Sequence, residues 1–224
     1  MASTTISEEQ RRLNQQLHKE RPDFGSRGGA GHQGVIKALA RYQKLGAITS
    51  VLDYGTGKGA FPKAVHKALP ALKMGAYDPA VEAFSSKPKG RFDLVTCFDV
   101  LEHVERGSVA AVLDEIRSLS AKAVFLQIDL QPAVKRLASG RNAHIMLAPP
   151  DWWLAQVAVA FPLQGSYPIF HESGTLQKLA IVAAADVAQG PLVWSLLTKL
   201  QANPMVIQGG YLATPDPKAV KPSK

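Results

Sequence analysis

Residues 51–65 read VLDYGTGKGAFPKAV. A short apolar run closes on an acid, Asp53, and glycines follow at 55, 57 and 59 before a helical pattern begins. Such a turn lacks Cβ atoms where a ligand would touch the backbone, and it aims the free N–H groups of the helix start at that ligand. The Walker phosphate loop needs G-x-x-x-x-G-K-[ST]; here Lys58 precedes Gly59, with no hydroxyl for magnesium, which excludes it. The dinucleotide fingerprint G-x-G-x-x-G/A does fit, as Gly55, Gly57 and Ala60. Asp53 argues the other way. A carboxylate beside the turn suits a positively charged ligand and opposes a bare pyrophosphate.

Working outward, the chain alternates short apolar runs with helical patterns. TSVLDY (49–54), MGAYD (74–78), FDLVTCFDV (92–100) and AVFLQIDL (123–130) read as strands. VIKALARYQKLG, stopped by Gly46, the stretch from 60 to 69, and SVAAVLDEIRSLS (108–120), with apolar residues at 109, 112, 113, 116 and 119, read as helices. This alternation predicts an α/β fold with a doubly wound, mostly parallel sheet and ligands at the carboxyl ends of its strands. Further on, PAVKRLAS reads as a helix, GRNAHIMLAPP as a loop and DWWLAQVAVAF as a helix. Runs near 163–171 and 176–185 read as an antiparallel hairpin at the C-terminal edge of the sheet, and WSLLTKL as a last helix. At the other end SEEQRRLNQQLHKERP forms a polar helix, with Ser7 as N-cap and Gln10 at capping-box spacing.

The pattern D-x-G-x-G-x-G at 53–59 resembles the first motif of class I S-adenosylmethionine-dependent methyltransferases. FDLVTCFDVLEHVE (92–105) is similar to the fourth-strand segment of the same superfamily, in which an FDxV strand leads into a D-x-L-E-H turn. The resemblance spans about residues 46–130 and is silent on substrate. It implies a Rossmann-like methyltransferase fold with S-adenosylmethionine as cofactor. Asp53, Gly55, Thr56, Gly57 and Gly59 would cradle the methionine and ribose portions. Asp78, closing the second strand 19 residues after Gly59, would accept from the ribose hydroxyls. Asp99 and Val100 would lie by the donor's reactive end, and Glu102 and His103 would face the acceptor. The chain also departs from the family: only 14 residues separate Asp78 from Asp93, too few for a helix, a strand and another helix. The third strand is therefore expected to be missing, and with it the family's adenine contact, which leaves Phe84 or Phe98 as candidates to stack on the base.

His103 is a candidate base because imidazole titrates near working pH. Glu102 also reads as an acid in an early helical turn. His144, with Arg141 and Asn142, falls in a loop on the acceptor side, and Trp152 and Trp153 offer faces for a sugar or a base. Glu102, His103, His144 and His171 could converge on a metal, but no close spacing such as H-x-x-x-H occurs, and no metal is expected.

A net charge of +8 favours anionic partners, yet residues 1–50 hold 8 Lys/Arg against 4 Asp/Glu and residues 151–224 hold 5 against 4, so no dense basic stripe exists. Nucleic acid is possible but not indicated. Cys97 is the single cysteine and reads as a buried hydrophobe. With no secretory signal pattern in residues 1–25 and no apolar run of membrane-spanning length, a cytoplasmic protein with no membrane contact is expected. The division expected is a helical extension or lid at 1–45, a methyltransferase domain at 46–201, and a C-terminal extension with a loose tail at 202–224. The function expected is methyl transfer to an oxygen or nitrogen of a small-molecule or glycan-type acceptor. The alternatives are a non-catalytic nucleoside-binding regulatory module, an RNA or DNA methyltransferase using the basic N-terminal region, and an NAD-dependent oxidoreductase.

Overall fold

The computed structural model describes residues 4–26 and 32–201. Its elements run α1 (Glu8–Glu20), α2 (Gln33–Lys44), β1 (Ser50–Tyr54), α3 (Ala60–Ala68), β2 (Lys73–Tyr77), β3 (Phe92–Phe98), α4 (Val109–Leu119), β4 (Ser120–Asp129), α5 (Pro150–Ala160), β5 (Leu163–Phe170), β6 (Leu176–Ala184) and α6 (Gly190–Gln201). One six-stranded sheet has the order β2-β1-β3-β4-β6-β5. β2, β1, β3 and β4 are parallel; β6 pairs antiparallel with β4 and β5 antiparallel with β6. The short spacing after Asp78 has the predicted effect. Between β2 and β3 the chain makes only a 3-10 turn, Glu82–Phe84, so β2 is an edge strand. The expected C-terminal hairpin is present, with Pro168 on the outer strand, where the sheet loses no ladder donor.

Period-two alternation puts Leu52, Tyr54, Val95 and Ile128 on one face, packed with α4 and α5. Val51, Leu94 and Phe125 lie on the other, with α2, α3 and α6. β6 is buried along nearly its whole length, as a strand covered on both faces must be. α2 ends where expected: Gly46 adopts φ 67 and its N–H returns to the Gln43 carbonyl. Ser7 caps α1, its hydroxyl accepting from the Gln10 N–H at 3.1 Å. The reciprocal half of the capping box is not made. Ser7 N–H donates to Glu105 instead, and the Gln10 amide, fully buried, bonds Asn14 and Arg141. These contacts fasten α1 to the body.

One predicted element is absent. PAVKRLAS is not a helix: residues 132–142 form a closed loop with a bridge between Arg136 and Asn142. The Asn142 amide explains it, accepting from Ala133 N–H at 2.9 Å and donating to Ala133 O at 2.8 Å. A side chain that satisfies the backbone this way competes with helix formation. No helix among the described residues is long and apolar enough to cross a membrane. The expected tail at 202–224 and residues 27–31 of the glycine-rich loop lie outside the described residues.

Candidate active site

At the carboxyl ends of the parallel strands lies a cavity of about 240 Å³. Asp53, Gly55, Thr56, Gly57 and Asp78 line one side; Asp99, Val100, His103, His144 and Asp129 line the other. The N-terminal segment covers it, with Asn14, His18 and Phe24 also in the lining. Thus the residues picked from two separate motifs meet in one space, with two exceptions. Gly59 lies outside the lining; it opens α3 at φ 71, and a Cβ there would come within 2.8 Å of the Phe84 ring. Glu102 is buried behind the wall, fully excluded from solvent. Of the two phenylalanines considered for the adenine, only Phe98 lines the cavity, and its ring packs against His32, Phe61 and Phe125.

The glycines have a steric reason. Gly55 and Gly57 have φ of 76 and 55, a region that costs side-chain-bearing residues about 1–2 kcal/mol. A Cβ on Gly55 would sit 2.2 Å from Val100 Cγ2, and one on Gly57 would sit 2.6 Å from the Gly25 carbonyl. Asp78 braces the turn, Oδ2 accepting from Gly57 N–H and Oδ1 from Ala80 N–H, both at 2.9 Å.

Asp53 is 4% exposed and accepts from the Thr96 hydroxyl at 3.0 Å. Among the described residues no lysine, arginine or histidine forms an ion pair with it. Burial pushes its carboxyl up to about 7, against the pull of the Thr56 and Thr96 hydroxyls. A buried carboxyl without a cation, beside a turn stripped of side chains, fits a ligand that carries positive charge.

Across the cavity Asp99 is held at φ 55, the one described non-glycine residue in the left-handed region. Its carboxylate accepts from Gln127 at 3.1 Å and pairs with Lys178 of β6. Burial would raise the Asp99 carboxyl, but the Lys178 ammonium overrides it and holds it below its ordinary value. Lys178 is 4% exposed and also faces Asp129 at 3.8 Å. Burial lowers its ammonium, and the two aspartates more than compensate, so it stays charged. Nothing local marks this lysine in the sequence, since it stands in an apolar strand 79 residues after Asp99.

At the far end, His103 Nδ1 donates to the Ala143 carbonyl at 2.7 Å and His144 Nδ1 to the Gln131 carbonyl at 2.6 Å. Their rings meet edge to face at 4.8 Å, and Phe24 packs on His103 at 5.5 Å. Burial, then the neighbouring His144, lowers the His103 imidazole to about 3. The motive for reading it as a base, titration near working pH, is therefore lost in the folded chain. Glu102 Oε1 accepts from Asp129 N–H at 3.1 Å. Burial, then Asp99 and Asp129, raise its carboxyl well above the ordinary range.

The rest of the second loop serves structure. Arg141 donates to Gln10 at 3.0 Å, Asn142 pins its own loop, and Trp153 is fully buried. Half-buried Trp152 lies under the Arg106 guanidinium, 5.0 Å from its ring centre. His171 bonds Ser173 in the β5–β6 turn and does not join Glu102, His103 and His144.

A family of methyltransferase domains matches residues 7–157, and the chain belongs to it. Its members take their methyl group from S-adenosylmethionine, which places this chain among S-adenosylmethionine-dependent methyltransferases. Among solved structures, the chain is similar to the Burkholderia thailandensis 1,6-didemethyltoxoflavin-N1-methyltransferase, bound to 1,6-didemethyltoxoflavin and S-adenosylhomocysteine. The likeness has a TM-score of 0.55 at 16% identity, over 75% of this chain and 83% of that one. An O-methyltransferase family protein of the same organism gives 0.51 at 15% identity, over 78% and 59%. The mitomycin 7-O-methyltransferase MmcR gives 0.51 at 15%, over 77% and 60%. At these identities the likeness establishes the fold. No curated protein matches.

Proposed function

We propose that the chain transfers a methyl group to an oxygen or nitrogen of a small-molecule or glycan-type acceptor. The donor would lie against Asp53, Gly55, Thr56, Gly57, Asp78, Asp99 and Val100, with Gly59 shaping the turn. Glu102, His103 and His144 would form the acceptor end. The supporting observation is that all of these residues except Gly59 and Glu102 line one cavity, with a buried carboxyl that has no cation partner at one end and two imidazoles at the other.

When bound, S-adenosylmethionine supplies an activated methyl and its own leaving group, so the protein's task is alignment, which can contribute several kcal/mol. Asp53 would offer its charge to the cation. Asp78 would hold the ribose while bracing the turn. Asp99 is preset by Lys178 and Gln127. His18, Phe24 and Asn14 would exclude water, so of the extension expected at 1–45 the part before residue 27 would act as a cover, while α2 packs in the body. The toxoflavin and mitomycin enzymes that share the fold act on small molecules, the kind of acceptor proposed here.

The test is calorimetric titration with S-adenosylhomocysteine and NADH, followed by methyl-transfer assays on phenol, sugar and amine panels. Micromolar S-adenosylhomocysteine binding with turnover of an acceptor supports the reading. NADH binding alone overturns it, and donor binding with no loss of cellular methylation on removing Glu102 and His103 favours the regulatory module.

A further inference from the structure

We infer that Glu102, His103 and His144 form a site for one divalent transition-metal ion, and that its open positions receive an oxygen of the methyl acceptor. The second half of this statement rests on the methyl-transfer reading; the first does not. Each residue offers one ligand atom, and these atoms lie within 4.8 Å of one another. Small side-chain rotations would place them about 2.0–2.2 Å from a common ion.

Three features point to a metal rather than to chance proximity. First, both imidazoles are oriented in the manner of metal ligands. A carbonyl only accepts, so the contacts to Ala143 and Gln131 put the proton on Nδ1 of each ring and leave Nε2 with a lone pair. Second, Glu102 Oε2 is buried with no hydrogen-bond partner, while Oε1 is fixed by Asp129 N–H. A buried polar oxygen left without a partner is costly, and a cation at that point would satisfy it. Third, the three ligands come from two places, the turn after β3 and the loop before α5, and Met146 N–H donates to the Glu102 carbonyl at 3.0 Å, tying the two together. The site is thus held by backbone bonds and not by the flexible reach of its side chains.

Two imidazoles and one carboxylate favour manganese, iron(II), cobalt, nickel or zinc over magnesium or calcium, which prefer oxygen ligands. Three protein ligands leave coordination positions open, and because His103 and His144 both line the cavity, those positions face it. An acceptor hydroxyl bound there would lose its proton to solvent more readily, as metal-bound water does. The O–CH3 bond then forms as the S–CH3 bond breaks, with the electron pair of the latter staying on sulfur. No protein base is needed for this step.

The experiment uses full-length protein stripped with a chelator and titrated with Mn2+ (read by loss of the free-ion resonance) and with Co2+ (read by visible absorption). The expected result is one ion per chain. Loss of an outer partner alone costs about 10–100-fold in metal affinity, so Glu102→Gln and His144→Ala should each weaken binding by at least about 100-fold. These two substitutions lie on different segments, so either decides if the other fails to fold. Acetohydroxamate added to the Co2+ protein should shift the absorption bands; unchanged bands overturn the claim of open positions. Absence of stoichiometric binding, or binding unaffected by both substitutions, overturns the site. S-adenosylhomocysteine titrated into the stripped protein keeps the questions apart, because failure there strikes the methyl-transfer reading and leaves the metal result intact.

Discussion

Asp53 gives the sharpest prediction. Its carboxyl, buried beside the glycine turn, is raised to about 7 in the donor-free protein. If it pairs with the α-ammonium group that the donor shares with S-adenosylhomocysteine, only its ionised form binds well, and apparent affinity scales with the ionised fraction. That fraction is about 3% at pH 5.5 and one half at pH 7, so S-adenosylhomocysteine affinity should rise about 15-fold between them. The ligand's α-amino group, with an ordinary value of about 7.7–8.0, stays charged throughout. Binding at pH 7 should release about half a proton, seen as a buffer-dependent enthalpy in calorimetry. Asp53→Asn should flatten the dependence near the acid-limit affinity of the native protein. That control also separates His18, whose imidazole is lowered chiefly by burial and which lines the same cavity. A second consequence concerns stability. The folded state holds this proton more tightly than the unfolded chain, so its contribution is full below about pH 4 and declines as pH rises to about 7. The total is about 4 kcal/mol, and Asp53→Asn should remove that decline from urea-unfolding curves. An unchanged pH slope in Asp53→Asn, or no slope in the native protein, would refute the reasoning.

Other substitutions test other parts of the site. Gly55→Ala combines a left-handed backbone with a Cβ 2.2 Å from Val100 and should cost about 2–4 kcal/mol, lowering Tm by about 5–12 °C while abolishing donor binding. Lys178→Met leaves Asp99 and Asp129 without their cation and should destabilise by about 3–5 kcal/mol in denaturant titrations. Adding Asp99→Asn should recover part of that loss. Cys97, 1% exposed and with its thiol raised well above the ordinary value by burial, should resist a disulfide reagent for hours in native buffer and react at once in guanidinium.

Where the structure departs from the sequence reading, the cause is a contact between distant segments. PAVKRLAS has helical spacing, but Asn142, outside that run, takes both polar groups of Ala133 and closes a loop. His103 carries the ordinary credentials of a base until burial, then the neighbouring His144, remove them. Lys178 sits in LQKLAIVAA with no local signal, because its partners are reached only when β6 inserts beside β4.

The sequence by itself determined the strand–glycine–helix turn, the six-strand sheet without the family's third strand, and the antiparallel edge. Those follow from local rules: backbone at positive φ needs glycine, a parallel crossover needs length, and burial imposes period two or 3.6. The tertiary structure alone decided that a lysine would neutralise Asp99 and that a buried glutamate would meet two histidines of the cavity wall. It also decided that residues of the segment 4–26 would reach over the cavity. Charge and coordination act through space, and the distances they depend on exist only once the sheet order has closed.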